Sequence, residues 1–151
     1  MSNTEAGVLP AWVQILGFGG LIPFLALALA SWVAPVVHQG EVLRALVAYA
    51  ATIASFVGAL HWGAAMHRAD QHITPLLVWG VAPSLVAWLA LLVRPVVGLL
   101  TLAGMLVVCF VVDRAVYPRL GLSAWLPMRL RLTTIAALSC LAAALSAGRL
   151  S

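Results

Sequence analysis

Four ionisable residues in a predominantly apolar chain have the chemistry to build a site: His61, Asp113, Arg129 and Arg131. A carboxylate paired with a guanidinium, with an imidazole beside it, can bind an anionic or hydrogen-bonding head group or hold a proton. Such groups are costly within hydrocarbon, at roughly 2.5 to 3.5 kcal/mol for a charge at the centre of a spanning helix. Each therefore calls for a partner. The expected arrangement is Asp113 paired with Arg129 or Arg131, with His61 nearby.

Other chemistries fit the residue pattern poorly. His61, His67 and His72 fall close together, but six residues is not a same-face spacing on a helix, and no cysteine or carboxylate completes a zinc set. His38, the remaining histidine, sits in a different apolar-run connection, so a haem held between two spans lacks its second ligand. No metal or cofactor is expected. Ser55 and Ser84 lie in apolar runs without a histidine at a motif spacing, and hydroxyls there commonly bond helix backbone. No Gly-rich phosphate loop follows a strand.

The elements that position these residues follow from composition. Only 8% of the residues are charged and 64% are hydrophobic, where soluble domains carry about 25% charged residues. The charges fall at the ends of long apolar runs. This is the composition of a polytopic membrane protein, and its evident partner is the lipid bilayer. A hydrocarbon layer about 30 Å thick needs roughly 20 apolar residues per crossing helix. Five spans are predicted, at about residues 14–33, 43–65, 75–93, 96–116 and 130–147, in a single integral domain over 1–151. The fold class is all-α, a compact bundle of five transmembrane helices.

Local signals refine the spans. Pro10 is suited to the first position of a helix, where its missing amide hydrogen is not needed. Gly17, Gly19, Gly20 and Pro23 would break a helix in water, but a membrane bundle tolerates them where neighbours satisfy the backbone. The polar stretch Ala34–Arg44 reads as the first connection. Ala50, Ala54 and Gly58 recur every four residues, which suits a close helix crossing. Pro83, followed by Ser84, predicts a kink in the third span. Arg94-Pro95 reads as a tight turn, and Tyr117–Met128 as the last loop. Trp12, Trp32, Trp62 and Trp125 suit the two aromatic belts. Cys109 and Cys140 lie in apolar runs, where a free thiol behaves as a small hydrophobe.

Direction of travel brings the candidates together. The second and fourth spans end on the side where the fifth begins, so His61, Asp113, Arg129 and Arg131 share one membrane face. With about 1.5 Å of rise per residue, His61 lies roughly one turn inside. That side also collects Arg68, Arg114 and Arg119, whereas the other has Arg44, Arg94 and Arg149. The arginine bias predicts a cytoplasmic N-terminus. The opening residues carry Glu5 and no positive region, so no cleaved signal peptide is expected. The formal charge of +4 is too dispersed for nucleic acid.

Several segments together carry a family likeness: LGFGGLIPF at 16–24, Tyr49 followed by ASFVGALHWG at 54–63, APSLVAW at 82–88 and LPMRLRLT at 126–133. In these the chain resembles the domain-of-unknown-function 3429 family of small multi-span proteins, which has mitochondrial members. The resemblance implies a bacterial inner-membrane protein and no known activity. It singles out Gly17, Pro23, Ser55, Gly58, His61, Trp62, Gly63, Pro83, Ser84, Trp88, Asp113, Pro127 and Arg129 as matching the family pattern. Among them, Gly17, Pro23, Ser55, Gly58, Trp62, Gly63, Pro83, Ser84 and Trp88 are expected to pack helices or line a pocket. The family pattern has a Trp-Tyr pair near the last loop; here Trp125 precedes Leu126, so no tyrosine hydroxyl carries over to that place.

The sequence favours a non-enzymatic scaffold or assembly partner, with a membrane-protein partner or a second copy of itself. So few ionisable groups lie within the spans that a charged-substrate route across them has little to work with. The alternative is a site for a quinone, lipid or other hydrophobic ligand between spans 2, 4 and 5. A membrane enzyme would need a water-filled cavity reaching His61 and Asp113.

Overall fold

A computed structural model describes residues 9–66 and 74–150 of the chain. Among the described residues there are six α-helices: α1 (Ala11–Gly19), α2 (Ile22–Val33), α3 (Val36–Met66), α4 (Thr74–Leu92), α5 (Pro95–Val116) and α6 (Leu126–Ser146). Three short 3-10 turns cover Tyr117–Leu120, Ser123–Trp125 and Ala147–Leu150. Helices α1 and α2 together make one apolar span, Ala11–Val33, and five spans result. The protein is a multi-pass membrane bundle.

The break between α1 and α2 has a local cause. Gly19 and Gly20 weaken the helix, and Pro23, the second residue of α2, has no amide hydrogen to bond a turn back. Tyr49 of α3 donates its hydroxyl to the Gly20 carbonyl at 2.7 Å, so a neighbour bonds backbone that the break leaves free. Its ring meets Phe24 edge-on, with centroids 5.1 Å apart. Pro10 stands one position earlier than predicted, as the extended residue before α1.

The first connection is far shorter than the polar stretch Ala34–Arg44 implied. It comprises Ala34, held extended by the following proline, and Pro35. Helix α3 then runs for 31 residues, roughly 46 Å at the usual rise. Its early polar residue Gln39 is buried because it has partners. The Gln39 amide donates to the Ser31 carbonyl and the Ser146 carbonyl, both at 2.9 Å, tying α2, α3 and α6 together. The chain turns at Val93 and Arg94 between α4 and α5, each of which begins one residue before its predicted span, but α6 begins at Leu126, so Leu126–Met128 of the expected last loop are already helical.

Helix α3 is the axis of the bundle, packing on α2, α4, α5 and α6. Leu46, Ala50 and Ala54 of α3 are fully enclosed with Leu99 and Leu102 of α5 and Cys140 and Ala143 of α6. Cys109 and Cys140 are both free thiols. Helices α3 and α4 cross closely. A methyl group on Gly58 would lie 2.7 Å from the Gly80 carbonyl oxygen and 3.0 Å from Pro83, and one on Gly80 would run into the Trp62 ring. Gly104, by contrast, has open space around it.

These distances set an expectation for thermal unfolding in detergent. Overpacking of this kind costs about 1 to 3 kcal/mol, so Gly58→Ala and Gly80→Ala should each lower the unfolding temperature, whereas Gly104→Ala should leave it unchanged or raise it. Equal behaviour of the three variants would contradict the crossing.

Candidate functional site

Asp113 occupies the last turn of α5 and is completely enclosed, with no exposed surface. Arg129, in the opening turn of α6, places Nε at 2.8 Å and Nη2 at 2.5 Å from Asp113, both on Oδ2. Its side chain is 12% exposed. The second carboxylate oxygen, Oδ1, is left to His61, whose Nε2 stands 3.3 Å away from the C-terminal part of α3. His61 is 1% exposed. The three groups come from spans 2, 4 and 5.

The helices do not stabilise the two charges on their own. A carboxylate near a helix C-terminus and a cation near an N-terminus each face the unfavourable end of the helix dipole. Asp113 and Arg129 therefore depend on each other. Because Nε and Nη2 both contact Oδ2, Oδ1 is left facing the imidazole.

That contact is close but incompletely satisfied. The Nε2 and Oδ1 atoms approach without hydrogen-bond geometry, and Nδ1 on the other side of the ring has no hydrogen-bond partner among the described residues. Four residues after Asp113, and hence on the same helical face, Tyr117 interacts with Arg129 and sets its ring 6.4 Å from that of His61. Two apolar cavities reach the cluster at different members. One of about 350 Å³ is lined by His61, Tyr117, Leu60, Leu120, Leu122 and Trp125. The other, about 230 Å³, lies against Arg129 between α1, α2, α3 and α6, with Leu16, Phe24 and Phe56 in its wall.

The four predicted residues thus divide three to one. Arg131 is not part of the cluster: two positions on a helix is more than half a turn, so it faces away and is exposed, beside Gln14 and Met128. Gly17 is pressed against Met128 of α6 and helps line the Arg129 cavity. Gly63 lines the His61 cavity. Trp62 donates its indole N–H to the Leu77 carbonyl at 2.9 Å, and Pro83 is buried against Gly58. Ser55 donates to the Ala51 carbonyl within its own helix. Pro23 and Ser84 are half-buried.

Trp88 corrects the expectation of a packing or pocket residue. It is 58% exposed and points out of the bundle, since its immediate neighbour Ala87 takes the inward position on α4. His67, His72 and Arg68 lie outside the described residues. His38 pairs with Glu41 at 3.3 Å on the exposed start of α3, at the end of the helix remote from His61.

Two residues of the arrangement were hidden by their placement in predicted loops. Tyr117 belongs to the site because the helical turn continues through it, a signal available in its four-residue distance from Asp113. Gln39 belongs to the polar tie at the far end of α3.

Sequence comparison places this geometry in context. The family described as Protein of unknown function (DUF3429) matches residues 9–145. Transmembrane protein 69 of Xenopus tropicalis is 42% identical over 82 residues, 52% of this chain and 32% of that protein. The chain thus matches about a third of the length of that relative. No solved structure matches the chain.

The pair makes a specific demand on stability. Removing one member of a buried ion pair strands the other and costs about 3 to 5 kcal/mol. Asp113→Ala should therefore lower the unfolding temperature in detergent strongly, and Arg131→Ala should leave it nearly unchanged. Similar losses for both would show that the buried pair does not carry the predicted weight.

Proposed function

The chain belongs to the DUF3429 family, and on that premise we propose that it is a non-enzymatic membrane protein that binds a small hydrophobic molecule with a hydrogen-bonding head. The ligand is of quinone or lipid type, and its head sits at His61. One observation carries this reading: a fully buried imidazole with no hydrogen-bond partner among the described residues is part of the wall of an otherwise apolar cavity of about 350 Å³. Ligand pockets have this character, mostly apolar with a few placed polar groups, and volumes from about 300 Å³ upward. A buried polar atom without a partner costs about 1 to 3 kcal/mol. A ligand's head group would recover that cost.

The scaffold role remains the second reading. Large apolar side chains such as Ile15, Leu29 and Leu85 are exposed on the outside of the bundle, where lipid, a membrane-protein partner or a second copy could cover them. A scaffold, however, gives no reason for an orphaned imidazole at a cavity. The proposed location is the bacterial cytoplasmic membrane with the N-terminus in the cytoplasm. The excess of arginines near the Asp113 end, Arg114, Arg119, Arg129 and Arg131 against Arg44, Arg94 and Arg149 among the described residues, supports that orientation.

Gentle purification followed by mass spectrometry of copurified small molecules tests the proposal. A near-stoichiometric amphipathic molecule is expected with the native protein, reduced at least tenfold in His61→Leu at unchanged stability. Copurification of a stable protein partner with an empty cavity would overturn it in favour of the scaffold.

A further inference from the structure

The end of the bundle remote from Asp113 carries positive charge that the protein leaves unbalanced. Arg44 lies on α3 and Arg94 in the two-residue turn between α4 and α5, and both are exposed. Arginine stays protonated in proteins. Of the two acidic residues described, Asp113 is held by Arg129 at the other end, and Glu41 stands 3.3 Å from His38. Neither Arg44 nor Arg94 pairs with a carboxylate among the described residues.

The two arginines border the same two hollows on the outside of the bundle. The smaller, about 640 Å³, has Arg44, Arg94, Val47, Leu91, Leu92 and Val93 in its wall and no carboxylate. The larger, about 780 Å³, runs past the same arginines to Glu41, Leu43 and the end of α6. Their shared walls put Arg44, about two turns into α3, at the depth of the α4–α5 turn. A turn between two spanning helices lies at the membrane interface, where the lipid phosphates are. Val47 stands one turn deeper than Arg44, and Leu91 and Leu92 precede the turn on α4, so the smaller hollow leads from this level toward hydrocarbon.

Charge at phosphate depth above an apolar wall at acyl depth is the order of a phospholipid. We propose that this face holds an anionic phospholipid of phosphatidylglycerol type, its phosphate between Arg44 and Arg94 and an acyl chain along Val47, Leu91 and Leu92. Guanidinium groups match phosphate oxygens through paired N–H donors, and basic hollows between spanning helices suit anionic head groups. A zwitterionic head brings its own ammonium toward the two cations, and a free phosphate gains nothing from the apolar wall. The site is separate from the His61 cavity and does not depend on a ligand there.

Native mass spectrometry of the full chain, released from nanodiscs of equimolar phosphatidylglycerol and phosphatidylcholine with the same acyl chains, tests the proposal. Phosphatidylglycerol should be retained preferentially. An arginine near anionic lipid contributes about fivefold, so Arg44→Gln and Arg94→Gln should each lower the preference by about that factor, and the double variant should bring it close to one. Arg131→Gln, at an exposed arginine of the opposite end, should leave it unchanged. Equal retention of the two lipids by the native protein, or a preference that survives the double variant, would overturn the proposal. Displacement of phosphatidylglycerol by inorganic phosphate, beyond the effect of sodium chloride at equal ionic strength, would show a simple anion site and overturn it too. A second measurement needs no variant: a phosphatidylglycerol with a photoreactive acyl chain should label residues 91–93 above the rest of the outer surface. Labelling spread evenly around the bundle would contradict a bound lipid.

Discussion

An enclosed carboxylate at the unfavourable end of a helix is the constraint around which the rest of this bundle is arranged. Asp113 cannot hold its charge through α5, and Arg129 cannot hold its charge through α6. Their pairing fixes where the two helices meet at one end of the bundle, and the Oδ2-only contact of the guanidinium leaves one oxygen to turn toward α3. His61 is the residue of α3 that faces it. Spans 2, 4 and 5 are thereby joined at a single point.

The opposite end has a polar tie of its own, in which Gln39 binds carbonyls of both α2 and α6. Between the two ties the contacts are apolar and close, with alanine and glycine letting α3 approach its neighbours. The two ends differ in kind. The Gln39 amide is bonded to backbone and to the Ser146 hydroxyl, whereas the imidazole of His61 has no hydrogen-bond partner among the described residues. A structural clamp has no use for such a side chain beside a cavity. This asymmetry is why the Asp113 tie, and not the Gln39 tie, is read as functional.

Much of this was legible in the residues. Apolar runs of sufficient length, separated by arginine and proline, gave five crossings, and alternation of direction put His61, Asp113 and Arg129 at one face. What alternation cannot give is rotation about each helix axis, and that is where Arg131 and Trp88 were misplaced: depth was right and facing was not. Polarity misled at Gln39, which looks like loop material until its three partners on α2 and α6 are known. The break at Gly20 could be suspected from Gly19, Gly20 and Pro23, but its repair by Tyr49 depends on two distant segments coming together. Cavities are likewise properties of packing, and no spacing in the chain announces them.

The mutual dependence of Asp113 and Arg129 is tested most directly by a double-mutant cycle in detergent or nanodiscs, using Asp113→Leu, Arg129→Leu and the two combined. Stranding either charge should be costly, and removing both should restore stability, so the double variant should unfold at a higher temperature than either single one. Additive losses, with the double variant the least stable of the three, would contradict the account.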